Sequence, residues 1–97
     1  MMRREGERLI VSGSLTLASV AAALSEGNAA IAEGVQTVDL AEVGELDSSA
    51  LALLLAWLRE AKRQNRSLVF ANPPQGLTTI ARLYGVAELL PASPAHH

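Results

Sequence analysis

Ala50 to Leu58 is the longest unbroken apolar run in the chain. It is far short of the ~18–20 residues that span a bilayer. Asp47, Ser48 and Ser49 stand directly before it, and all three residue types cap helices by accepting from free backbone N–H groups. Alanine and leucine, both strong helix formers, dominate the run itself. Ala50 to Gln64 is therefore the strongest helix the sequence predicts. At 100° per residue, Leu51, Leu54, Leu55 and Leu58 share a face suited to a sheet. Leu53 and Trp57 lie one turn apart on roughly the opposite side, near Ser49, Glu60 and Gln64. They either pack on a neighbouring helix or anchor a partner. Trp57 is the chain's single tryptophan, a residue type enriched in interface hot spots. On that ground we expect Leu53 and Trp57 to form a partner interface.

Strand signals flank this helix. Arg8 to Leu15 (RLIVSGSL) carries the β-formers Ile10 and Val11, and Glu5-Gly6-Glu7 before it reads as a turn. Met1 to Arg4 then forms a short first strand of a hairpin. Leu17 to Glu33 reads as a helix, with Leu17, Val20, Leu24 and Ile31 on one face, Thr16 as N-cap and Gly34 at C′. Gly27-Asn28 in its middle costs ~1 kcal/mol against alanine and marks a kink. Gln36 to Leu40 is a strand running on into Ala41-Glu42-Val43, and Gly44 to Asp47 is a turn. Ser67 to Ala71 is a strand, ended by Asn72-Pro73-Pro74, which suits a new helix start. Gln75 to Tyr84 is a helix with Leu77, Ile80, Ala81 and Tyr84 inward. Val86 to Leu90 packs back as an extended edge segment, and Pro91 to His97 is a flexible tail.

The order β-β-α-β-α-β-α implies βαβ units with parallel neighbours, plus one antiparallel pair from the hairpin. The expected fold is a single α/β domain over residues 1–97, with a small mixed sheet and helices mainly on one face. A chain of 97 residues has room for one domain.

Composition excludes several functions. The formal charge of −2 argues against non-specific nucleic-acid binding. Cysteine is absent, so there is no disulfide, thiolate metal site or cysteine nucleophile. The two histidines are His96 and His97 at the extreme C-terminus, a tail or an appended remnant. A serine nucleophile at Ser48 or Ser49 therefore lacks its usual base. Glu42, Glu45 and Asp47 read as a solvated acidic loop and not as a cation site. We expect no enzyme activity, cofactor or metal. The opening Met1-Met2-Arg3-Arg4-Glu5 has no apolar segment behind it, so we expect no signal peptide. The mean hydropathy of +0.23 is high for a chain without a membrane segment and suggests apolar surface kept for a partner. The bases Arg59, Lys62, Arg63 and Arg66 come after a stretch of acids. Helix-dipole complementation is the first reading of that segregation, and a basic partner patch the second.

The strand QTVDLAEV, the turn GELDSSALALLL and the later NPP…LYGVAELL resemble the STAS family, the fold of anti-sigma-factor antagonists. The resemblance runs from about Glu5 to Leu90. D-S-S-[G/A]-L is its most specific motif, and Ser48 falls where that family carries a phosphorylatable serine or threonine. Ala50 stands where many sigma-regulating members have glycine. The short length, LALLL and LYGVAELLP are most similar to the MlaB-like branch, the STAS subunits of bacterial phospholipid-transport ABC complexes that serve outer-membrane lipid asymmetry. The resemblance implies a non-catalytic subunit, cytoplasmic and peripheral to the inner membrane, that binds an MlaF-like ATPase subunit of the ABC transporter. Asp47, Ser48 and Ser49 would form its partner-binding or phosphorylatable site. The alternative it implies is an anti-sigma-factor antagonist, switched when a partner kinase phosphorylates Ser48.

Overall fold

The structure is a computed structural model and describes residues 2–90. Strands β1 (Met2–Glu5) and β2 (Arg8–Leu15) are followed by helix α1 (Val20–Ala32). Strand β3 (Thr37–Leu46), helix α2 (Ser48–Arg63), strand β4 (Val69–Ala71) and helix α3 (Gln75–Leu83) complete the order. The sheet runs β1-β2-β3-β4, with β1 antiparallel to β2 and the other neighbours parallel. This is the mixed sheet that the alternating elements predict. Gly6, at φ 65, starts the two-residue turn of the hairpin, a backbone position that suits glycine.

Alternation along the strands divides the sheet into two unlike faces. Leu9, Val11, Val38, Leu40 and Phe70 point to the helices and join one core with Ile31, Leu53, Leu54, Trp57, Leu77 and Ala81. The other face has Arg3, Ile10, Asp39 and Ala71 in one register row. There, Arg8 pairs with Asp39 at 2.8 Å and Arg3 with Glu42 at 3.1 Å. Asp39 is the hub. Its Oδ1 also accepts from the Asn72 amide at 3.1 Å and from the Ala41 N–H at 2.9 Å. The Ala41 bond matters because β3 carries one extra residue between Asp39 and Glu42 relative to β2. The bulge leaves a backbone donor out of the ladder, and the Asp39 side chain takes it. Burial would raise the Asp39 carboxyl, but the Asn72 and Ala41 donors and Arg8 outweigh it and hold its pKa below the usual range.

Several expected boundaries move. The stretch Gly44-Glu45-Leu46, expected as a turn, belongs to β3, because β2 continues to pair with it as far as Leu15–Leu46. Helix α1 begins at Val20 and not at Leu17, and Thr16 is not its N-cap. The Thr16 carbonyl instead accepts from the N–H groups of Ser19 and Val20, closing a turn before the helix. Val86 to Leu90 contains a 3-10 turn (Ala87–Leu89) in place of an extended edge. Tyr84 points outward, since it lies past the last turn of α3. The expected tail Pro91 to His97, with both histidines, lies outside the described residues.

Helix α1 runs unbroken across Gly27 and Asn28. Glycine is there for a close approach. A Cβ on residue 27 would fall well inside 3.0 Å of Cε2 and Nε1 of Trp57. The indole therefore sits against the α1 backbone, and its Nε1 donates to the Leu24 carbonyl at 3.4 Å. Helix α2 contacts α1 on one side and α3 on the other while covering the sheet. That is why Leu53 and Trp57 are buried as deeply as Leu51 and Leu54, while Leu55 and Leu58 stay half-exposed.

Three outcomes are expected. Gly27→Ala gains up to ~1 kcal/mol of helix propensity but overpacks against the indole, costing ~1–3 kcal/mol, so urea unfolding should show a net loss. Trp57→Ala should cost ~3–5 kcal/mol. The third outcome concerns pH. The Asp39 carboxyl has a depressed folded pKa, so its contribution to stability is complete above the unfolded value of ~3.9 and is lost as pH falls through the folded value. Thermal midpoints taken through acid should fall less steeply for Asp39→Asn than for wild type.

Candidate partner-docking site at the start of α2

Strands β2 and β3 are parallel neighbours, so their carboxyl ends lie side by side. The carboxyl ends of parallel strands are where open α/β sheets commonly carry their sites. The Asp47 N–H donates to the Leu15 carbonyl at 3.3 Å, which draws the β3–α2 junction against the β2–α1 turn. The Asp47 carboxylate then joins the two. Its Oδ1 accepts from the Ser49 N–H at 2.8 Å, capping α2. Its Oδ2 accepts from the Leu17 N–H at 3.2 Å, holding the turn. The Ser49 and Leu17 donors hold this carboxyl below the usual carboxylate range.

Of the three expected cap residues, Asp47 is the one that caps. Ser48 is not the cap, because it is already the first helical residue, exposed, with no hydrogen bond from its hydroxyl to another described residue. Ser49 is half-buried and serves as the donor to Asp47. The three expected site residues therefore lie together, with one structural role and one open hydroxyl among them. Glu42 is not part of this cluster, since it turns to the outer sheet face and its pKa is lowered chiefly by the Arg3 side chain. Among the described residues, no group of three or more His, Cys, Asp or Glu is placed to hold a metal ion.

Leu53 and Trp57 do not form a surface. Both are buried inside the chain, Trp57 completely, because α1 packs over them. The residue that sequence reasoning missed is Leu17. It is 76% exposed, beside the Asp47 carboxylate that holds its N–H. Its signal was Ser19, the true start of α1, which leaves Leu17 outside the helix stripe.

A four-stranded mixed sheet, helices on one face and an exposed serine opening the helix after β3 define a STAS-type domain. It matches SpoIIAA, an anti-sigma factor antagonist, in its unphosphorylated form with a TM-score of 0.71 and 17% identity, covering 97% of this chain and 87% of that one. A chain of the Acinetobacter MlaFEDB complex in an ATP-bound conformation matches with a TM-score of 0.82 and 26% identity, covering 96% of this chain and 99% of that one. The intermembrane phospholipid transport system binding protein MlaB of Escherichia coli K12 is 32% identical over 87 residues, 89% of each chain. Residues 1–91 match the STAS_2 family, described as "Mlab, STAS domain", and the chain belongs to that family.

The clamp predicts a specific defect. Asp47→Ala should speed amide exchange at both Leu17 and Ser49 and lower the thermal midpoint. Asp47→Asn keeps an acceptor and should protect both amides better than alanine.

Proposed function

We propose that this chain is the STAS subunit of an Mla-type phospholipid transporter. In this reading it binds an MlaF-like ATPase subunit through the surface around Ser48. The observation that carries it is the likeness, over nearly its whole length, to a subunit of the MlaFEDB complex. The site supports the same reading. Asp47 is consumed by its two backbone donors, so Leu17 and Ser48 are left as the readable surface. Leu17 offers apolar area to desolvate, and the Ser48 hydroxyl offers a hydrogen bond beside it. No base engages that hydroxyl among the described residues, which supports assembly and regulation over catalysis. No helix among them is long and apolar enough to cross a membrane, so association with the bilayer would run through the partner.

An anti-sigma-factor antagonist is the second reading, favoured by the open hydroxyl of Ser48 at a helix start. A phosphate there would add nearly two negative charges, which the helix dipole favours.

The test is co-purification with the tagged ATPase subunit of the same organism, followed by calorimetric titration. Ser48→Glu should keep the circular-dichroism spectrum and weaken binding by ~10-fold or more, because a bulky charge at the contact must be desolvated or paired on docking. Ser48→Thr should bind like wild type. Wild-type protein that ignores the ATPase but takes phosphate from ATP in lysate, at Ser48 alone, would favour the antagonist instead.

A further inference from the structure

Strand β3 is longer than the strand it runs beside. The 8 residues of β2 lie along 10 of β3, with Arg8 level with Thr37 and Leu15 level with Leu46. The surplus enters at two places, one extra residue between Asp39 and Glu42 and another between Val43 and Leu46. A single extra residue moves the later side chains to the opposite face. A second restores the alternation, so Leu46 packs toward the core as Val38 does. The same surplus decides that the N–H reaching the Leu15 carbonyl is that of Asp47, at 3.3 Å. The clamp at the start of α2 thus depends on a register set inside β3.

The two bulges are held differently. The one nearer the junction lies at Gly44 and Glu45, beside Gly13 of β2, which takes a φ of 87 that glycine adopts readily. The one nearer the strand start is held by a side chain. Asp39 Oδ1 accepts from the Ala41 N–H at 2.9 Å, the ring by which an aspartate fixes its own backbone two residues on. The same oxygen accepts from the Asn72 amide at 3.1 Å, just past β4, and Oδ2 accepts from Arg8 Nη1 at 2.8 Å, at the start of β2. One half-buried carboxylate ties three strands together where the register first changes.

We propose that Asp39 is a positioning residue for the docking site. By holding the first bulge through Oδ1, it sets the register that delivers Asp47 to Leu15, Leu17 and Ser49, and with them the place of Ser48. Asp39 lies on the sheet face away from the helices, so it acts along β3 and not by touching a docked protein. Its role in docking rests on the reading that the start of α2 meets the ATPase; its hold on the junction does not. The ion pair with Arg8 and the hold on the bulge make different demands. The pair needs the charge, whereas the bulge needs only an acceptor. Asparagine at position 39 keeps the acceptor and loses the charge.

The experiment compares wild type, Asp39→Ala, Asp39→Val, Asp39→Asn and Arg8→Gln by native-state amide exchange and by titration with the purified ATPase subunit. Valine keeps a β-branched strand former at the position, so the comparison survives if the alanine variant does not fold. Without the acceptor, exchange at Leu17, Asp47 and Ser49 should quicken, and ATPase binding weaken, by roughly 3–10-fold, the change one hydrogen bond carries. The Trp57 amide in the middle of α2 reports global stability and should change less. Asp39→Asn and Arg8→Gln should exchange at the junction and bind like wild type. A defect as large in Asp39→Asn, or reproduced by Arg8→Gln, assigns the effect to the charge pair and overturns the proposal. Wild-type exchange at the junction in both variants without the acceptor overturns it too, as does equal quickening at Trp57, which is ordinary loss of stability. If the junction loosens but affinity holds while Ser48→Glu still weakens binding, docking at Ser48 stands and the positioning role falls. If wild type does not bind the ATPase, the docking reading falls, and exchange alone decides whether Asp39 holds the junction.

Discussion

Trp57 fills the space between α1, α2 and the sheet because residue 27 has no side chain. A glycine inside a helix costs ~1 kcal/mol against alanine. A tryptophan buries 150–250 Å² when enclosed, and its loss from a core costs ~3–5 kcal/mol, so the exchange favours the glycine. The consequence reaches beyond the core. With the indole seated, α2 can take only one rotation about its axis. That rotation turns Leu53 and Trp57 to α1 and leaves Ser48, Ala52, Arg59 and Lys62 outward. The exposed face of the domain's central helix is thus set by a contact on its hidden side.

The two faces of the sheet solve different problems. One is dry and covered by helices. The other has no helix, and its charges neutralise each other across strands, with Arg8 to Asp39 and Arg3 to Glu42 as the main links. An exposed pair such as Arg3–Glu42 adds little to stability, because water screens it. Asp39 does more than pair. It satisfies the donor freed by the bulge in β3, and the bulge lets Glu42 face outward while Val43 turns back toward the core. The high mean hydropathy also finds its place here. It reflects a helix buried on three sides more than an apolar patch, since the large exposed apolar side chains are only Leu17, Leu83, Tyr84 and Leu89 among the described residues.

Element types and their order were legible because each rests on a local signal: β-branched runs, Asp-Ser-Ser before an apolar stretch, Asn-Pro-Pro before a helix. The D-S-S-A-L motif falls at the β3–α2 junction, where Asp47 caps the helix. The failures share a cause, which is that the decisive contact lies far away in the sequence. Gly44 looks like a turn residue until β2 supplies a parallel partner. Gly27 looks like a weak point until Trp57 lies on it. Trp57 looks like an anchor for another protein because one-dimensional periodicity counts a single buried stripe, whereas α2 has neighbours on both flanks. Leu17 was hidden because its place is set by Asp47, thirty residues on.

The junction separates the groups that hold it from the groups it shows. Asp47 gives both carboxylate oxygens to backbone donors, so its charge is spent on geometry. Ser48, one residue later, makes no such contact and sits outward. Ala50 lies two residues further, about 200° around the helix, and is completely buried. Its Cβ therefore packs into the core on the side away from Ser48. The alanine at this position adds packing beneath the helix start and does not block access to the hydroxyl above it. Were Ser48 to meet a partner, as proposed, the same rigid cap would present its hydroxyl, and the exposed Leu17 beside it would be the first apolar area that partner covers.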